Sequence, residues 1–358
     1  MKKSWTSDDS RKMTEASRLN ETNAPLSQAQ LKIALEYRDV LKKTYLFLRF
    51  GIVGTVVAIL LAVFFFTPDD YLVHDGQTLP SISHYYYTPA RIVFTGALCA
   101  ASLALLAIAG KGVQSYLLNL AALLAPLIAI IPTPVLPSEV GPAAQLANCP
   151  STIDCIPADQ LPYVATGFHI WLIISIAVMI VALGWNVWHH INKSRRVPEA
   201  FRVILALGFA VWILYFALWN VPGQDLFRQY GHVAAAGVFF ILIATVTVIE
   251  AWRQWADRDN QSEPPPPAFF HRRMYSGIYL ALGVIMFLDI IAGTLILTKF
   301  IRPEDWQIGN SVFIVEVVAL AAFAVFWLVQ TAEHFKDSNG WESLSEARRR
   351  GRALRQAR

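Results

Sequence analysis

FIVEVVALAAFAVFWLVQT, residues 313–331, is a nineteen-residue run with a single charge in it, Glu316. As a helix it would rise about 28 Å at 1.5 Å per residue, close to the ~30 Å of hydrocarbon in a bilayer. Seven more apolar stretches lie upstream, and the eight candidate spans cover residues 45–67, 91–110, 116–132, 164–185, 201–221, 232–252, 274–297 and 309–332. The third carries Pro126, which predicts a kink or an oblique entry. A chain that is 55% hydrophobic and 16% charged cannot cover this much apolar surface in water. The expected fold is therefore all-α: a polytopic bundle of about eight transmembrane helices. No alternating strand pattern recurs, which argues against an outer-membrane barrel.

Basic residues give the direction. The arm 1–44, the segments around Lys111, Arg195 and Arg258, and the carboxyl-terminal tail hold 25 Lys and Arg between them. The opposite side holds three, Arg228, Lys299 and Arg302, and Arg49 and Arg91 stand at span ends. Basic loops stay cytoplasmic, so both termini are expected inside, and an even number of spans agrees. The net charge of +4 is on this reading a topology signal, and no nucleic-acid partner is expected. The first apolar run follows a long polar arm and is expected to remain as a start-transfer helix.

Three parts follow: a cytoplasmic arm, 1–44; the bundle, 45–332; and a basic cytoplasmic tail, 333–358. In the arm, Ser27 and Gln30 match a capping box, and Leu31, Ala34, Leu35 and Leu41 recur at helical spacing. An amphipathic helix over 27–43 is expected, either lying on the membrane face or extending the first span. Arg348, Arg349, Arg350, Arg352, Arg355 and Arg358 suit either anionic lipid headgroups or plain solvation. Pro264 to Pro267 suit a stiff spacer. The loop 133–163 has no Lys or Arg, and its Cys149 and Cys155 can close a disulfide across five intervening residues if the outer side is oxidising. The expected location is a bacterial inner membrane.

Ionisable residues inside spans are costly, ~2.5–3.5 kcal/mol at mid-membrane, and so carry the functional information. His169, His232, Asp289 and Glu316 are the four without an interfacial excuse. With the orientation above, all fall in the outer half: His169 about 8 Å in, Asp289 about 12 Å and Glu316 about 10 Å, with His232 at the mouth of its span. The preceding loop adds Ser81, Ser83, His84, Tyr85, Tyr86 and, at the next span, Arg91. Pairing of Arg91 with Asp289 or Glu316 would offset the charge, and so would a protonated carboxyl. His189 and His190 read as interfacial, Glu250 as a local pair with Arg253, and Glu333 and His334 as the close of the last span. No Walker, dinucleotide-binding, GxSxG or HExxH motif is present.

Three readings remain open for the outer layer. It can tie helices together and bind a small polar molecule or lipid headgroup in an outward-facing pocket. It can hold zinc through His169, His232, Asp289 and Glu316 as a metal-dependent membrane hydrolase acting on lipid. Or Asp289 and Glu316 can serve a proton- or ion-coupled transporter.

The stretch PSISHYYYTPARIVFTG, residues 80–96, resembles a segment of uncharacterised bacterial multi-pass membrane proteins in which a Ser-Ile-Ser-x-Tyr-Tyr run precedes an Arg-containing second helix. Residues 313–331 are similar to the last helix of those proteins, with its Glu and Phe…Trp-Leu pattern. The first segment is also similar to the outer loop of Frag1/DRAM/Sfk1-type membrane proteins, which have fewer spans. The resemblance implies a membrane bundle and points to Ser81, Ser83, Tyr85, Tyr86, Arg91 and Glu316. A looser similarity to the seven-helix zinc hydrolases that include alkaline ceramidases carries no activity over, because paired histidines are missing from the last helix.

The topology has a direct check. A fluorescent protein fused to the carboxyl terminus should fluoresce in the cytoplasm, and alkaline phosphatase inserted in 133–163 should be active outside. The reverse pattern would overturn the orientation.

Overall fold

The computed structural model describes residues 28–72, 78–109, 112–144, 146, 149, 154–193, 199–222, 224–256, 269–298, 300 and 310–337. Among the described residues, eight helices are each long and apolar enough to cross a membrane. They are α1 (Gln28–Phe65), α2 (Arg91–Ile108), α3 (Val113–Ile130), α4 (Leu161–Lys193), α5 (Glu199–Asn220), α6 (Asp225–Ala256), α7 (Phe269–Leu297) and α8 (Ser311–Asp337). Two compact units are distinguished, Met1–Leu46 and Phe47–Arg358, and the packing below belongs to the second. The helix expected over 27–43 is present from Gln28 and runs on into the first span. Ser27, the proline run 264–267 and the basic tail from 338 lie outside the described residues.

α3 is the centre of the bundle, packed by α2, α4, α5 and α6. Over half of its span is buried, 56%, against 11% for α5 at the rim. Its sequence explains the place: Ala121, Ala122, Ala125 and Ala129 are all buried, and small residues let helices approach where lipid removes any hydrophobic drive between them. α6 packs along α7, and α7 along α8. At the first of these contacts a Cβ on Gly283 would lie 2.7 Å from Val248 Cγ2, so any larger residue there would push the Val248 side chain aside. α1 reaches α8 where the Phe64 and Phe313 rings meet edge to face at 5.7 Å.

Pro126 sits inside α3 without ending it. Proline has no N–H, so the carbonyl four residues earlier, Ala122, loses its helical donor. The Ser102 hydroxyl of α2 donates to that oxygen at 2.7 Å. One residue on, Trp171 Nε1 of α4 donates to the Leu123 carbonyl at 2.9 Å. A neighbouring helix thus re-satisfies the carbonyl that the proline freed, and Trp171 adds a second bond beside it.

One end of the bundle is closed by non-helical chain. Residues Ile82–Tyr87 form a fully buried 3-10 turn capped by Ser81, whose side chain accepts from His84 N. The stretch is tied to the start of α8, where Phe313 N donates to Pro80 O at 2.9 Å and Asn310 Nδ2 to Thr78 O at 2.9 Å. Thr133 and Glu139 of the following segment touch this turn. Val135 and Cys155 form an isolated antiparallel bridge, and a disulfide joins Cys149 to Cys155 with Cα atoms 5.8 Å apart.

The proline repair makes a specific prediction. Ser102→Ala should lower the unfolding midpoint of the purified protein by an amount equivalent to about 1–3 kcal/mol, the usual cost of an orphaned buried acceptor. On a Pro126→Ala background, where the missing N–H returns, the same change should cost much less. Equal costs in both backgrounds would contradict the assignment.

Candidate functional site

The closed end of the bundle brings together residues from four separated parts of the chain. α6 begins at Asp225, earlier than its apolar pattern suggested, so His232 stands two turns inside the helix. There His232 Nδ1 lies 2.6 Å from the carbonyl of Ile131, at the end of α3. A carbonyl only accepts, so Nδ1 carries the hydrogen and donates. The other ring nitrogen, Nε2, lies 2.7 Å from Ser83 Oγ. That hydroxyl lies in turn 2.8 Å from Glu316 Oε1 on α8. The second carboxyl oxygen, Oε2, accepts from Ile82 N, and the backbone of Ser83 also bonds the carboxyl. Ser83 and His232 are buried. A single hydroxyl thus joins α6, α8 and the 3-10 turn.

A second string runs outward from the same turn. Ser81 Oγ lies 2.6 Å from His84 Nδ1, and His84 Nε2 lies 3.2 Å from Glu139 Oε2. Glu139 sits in the turn Pro137–Glu139 and accepts from Leu136 N at 2.9 Å. Burial pushes its carboxyl up, but the bonds from His84 and Leu136 N and the His84 charge prevail, leaving it below the usual carboxylate range.

The tyrosines face different partners. Tyr85 receives Leu79 N at 3.3 Å, and Tyr87 donates to Thr133 O at 2.8 Å. Burial holds the Tyr85, Tyr86 and Tyr87 phenols above their ordinary range, and so in the protonated form.

Two sequence expectations need correction. Arg91 does not pair with Asp289 or Glu316. Its guanidinium donates to Gln160 Oε1 and to Tyr86 OH, each at 2.7 Å, and lies 4.2 Å over the Tyr86 ring. This separate cation–π station packs beside the turn. His169 does not reach the cluster either: it is exposed on α4, against Trp219 with ring centroids 5.5 Å apart. Depth along a helix was legible, but the face was not. Asp289 on α7 is half-buried and within electrostatic reach of Glu316, with no hydrogen bond to it among the described residues. Among the described residues no three His, Cys, Asp or Glu side chains are placed to hold a metal ion.

The opposite end holds a network that the sequence reading missed. Glu250 on α6 does pair with Arg253, whose Nε donates to it at 3.1 Å. It is also buried and accepts from Gln114 Nε2 of α3 at 2.6 Å. Gln254 joins it to Glu333 on α8, and Tyr279 of α7 donates to Glu333 at 2.7 Å. His232 and Glu250 are eighteen positions apart, five whole turns at 3.6 residues. That spacing on one face was the available signal. Between the two polar layers the packing is apolar, with Phe239 against Phe323 at 5.8 Å and Phe323 against Trp327 at 6.3 Å.

Comparison with known proteins adds nothing to this geometry: no protein-family model, no curated protein and no solved structure matches the chain.

The Glu139 contact predicts a pH response. A carboxyl held below its ordinary range contributes stability that is complete above that range and is lost as pH falls through the lowered value. Glu139→Gln should therefore lower the thermal midpoint at neutral pH, and the gap to wild type should close in acid. A gap independent of pH would show that the carboxylate charge is not what matters.

Proposed function

We propose that this multi-pass membrane protein is a proton-coupled transporter of a bacterial inner membrane. The supporting observation is that α6 and α8 each carry polar or ionisable groups at both ends of their spans. His232 and Glu316 are joined through Ser83 at one end, and Glu250 and Glu333 through Gln254 at the other. Ionisable groups in hydrocarbon are retained where a proton, ion or polar solute passes. The two layers are about 27 Å apart along α6, nearly the thickness of the apolar core, with an aromatic barrier between. Such an arrangement suits alternating exposure of two polar stations.

With both termini cytoplasmic, the His232 layer faces outside and the Glu250 layer inside. The outer layer, with Ser81, Ser83 and His84 beside it, is then the place where a small polar solute or a lipid headgroup would be recognised. Arg91, flanked by Tyr86, suits an anionic group arriving along the membrane surface. The lipid bilayer is the partner that the eight apolar spans require. A metal-dependent hydrolase finds less support, since His169 stands exposed against Trp219, apart from His232 and Glu316.

The test is transport itself. Proteoliposomes with an imposed pH gradient should show protein-dependent proton movement when offered a panel of small polar solutes. Glu316→Gln and Glu333→Gln should each reduce it at least tenfold while the protein remains folded. Undiminished flux in both variants, or no protein-dependent flux with any solute, would refute the proposal.

A further inference from the structure

The chain from Ile131 to Glu316 sets its own proton count. Ile131 O can only accept, so His232 Nδ1 bears a hydrogen. Glu316 Oε2 accepts from Ile82 N, so any proton on the carboxyl belongs on Oε1, the oxygen facing Ser83. Between Oε1 and His232 Nε2 stands one hydroxyl, with one hydrogen, at 2.8 and 2.7 Å. If Glu316 were ionised and His232 neutral, both neighbours would be acceptors. The Ser83 hydrogen would serve one of them, and the other contact would set two lone pairs against each other without a proton. Buried polar contacts of that kind are strongly unfavourable.

One added proton resolves both contacts. The chain then runs either from Oε1–H to Oγ–H to Nε2, or from Nε2–H to Oγ–H to Oε1. A second added proton would leave the hydroxyl hydrogen with no acceptor in the chain. We infer that Glu316, Ser83 and His232 together form a binding site for one exchangeable proton, shared between carboxyl and imidazole through the serine hydroxyl. This rests on the transport reading for its purpose: the shared proton is the one that the cycle couples to.

The surroundings do not neutralise the pair in another way. His84 on the same turn lies within electrostatic reach of both Glu316 and His232, but it is itself turned to Ser81 and Glu139. From α7 comes only the carboxyl of Asp289, which adds negative charge beside Glu316. Arg228, one turn before His232 on α6, donates to Gln224, and Arg91 is held by Gln160 and Tyr86. α3 contributes backbone carbonyls. The Tyr85 hydroxyl accepts from Leu79 N.

Loss of the proton has a structural consequence. When the O–H or N–H bond breaks and the proton passes to water, its electron pair stays on the carboxylate or the imidazole. The Ser83 hydroxyl can then keep only one partner. Ile82 N, Pro80 O and Thr78 O still hold the turn to α8, so the contact that yields is the one to His232 of α6, which makes proton release a loosening step at this end of the bundle.

The count can be read directly. Full-length protein in nanodiscs at neutral pH would be studied by infrared difference spectroscopy for carboxylic acid against carboxylate, and by nitrogen NMR of labelled histidine for neutral imidazole against imidazolium. Glu316→Gln, whose amide reproduces the protonated acid, assigns the first signal, and His232→Gln the second. If Glu316→Gln fails to fold, Glu316→Asp assigns the same band by its shift. The expected result is one added proton: a protonated Glu316 with neutral His232, or an ionised Glu316 with imidazolium. An ionised carboxyl beside a neutral ring would overturn the inference, and so would a protonated acid beside imidazolium. The transport assay separates the two claims. One proton without pH-driven flux upholds this site and removes the transport reading, whereas flux with no added proton does the reverse.

Discussion

The hydroxyl of Ser83 is the joint on which this end of the molecule depends. Inside lipid there is no hydrophobic force to draw one helix onto another, because acyl chains are as apolar as leucine. Complementary packing and polar contacts must decide which helices meet and in which register. Ser83 stands between an imidazole of α6 and a carboxyl of α8, and its own turn closes the bundle. Removing the Ser83 hydroxyl would take the shared partner from both His232 Nε2 and Glu316 Oε1.

The rest of the closed end reads as support for that joint. The disulfide and the Val135–Cys155 bridge shape the long loop. The loop presents Glu139, which holds His84, and His84 belongs to the same turn as Ser83. Tyr87 ties the turn to Thr133, while Phe313 and Asn310 fasten the preceding residues to α8. On the far side, Ile131 fixes the ring of His232. That carbonyl is positioned because α3 continues through Pro126, with Ser102 filling the gap the proline leaves and Trp171 bonding the next carbonyl. Backbone repair in the middle of the membrane and side-chain geometry at its edge are therefore parts of one construction.

What was legible in the sequence was whatever composition and depth encode. The eight spans follow from runs of apolar residues, and the outer polar layer from Glu316 and His232 breaking such runs beside a Ser- and Tyr-rich loop. Rotation about a helix axis was not legible. α4 is apolar all round, so nothing in its pattern told which face His169 occupies, and it stands exposed. Arg91 was expected to seek a carboxylate, yet the nearby Tyr86 and Gln160 satisfy it with less desolvation. Glu250 and Glu333 looked interfacial because they lie near span ends with Arg253 close by. Their partners are Gln114, Gln254 and Tyr279, neutral residues that no charge pattern reveals, and these link α3, α6, α7 and α8.

The central claim is that Ser83 and Glu316, more than two hundred positions apart in the chain, act as one energetic unit. A double-mutant cycle on unfolding in detergent, with Ser83→Ala, Glu316→Gln and the pair, measures that unit directly. The account predicts non-additive losses, with a coupling above about 0.5 kcal/mol. Strict additivity would mean that the hydroxyl and the carboxyl do not meet in the folded protein.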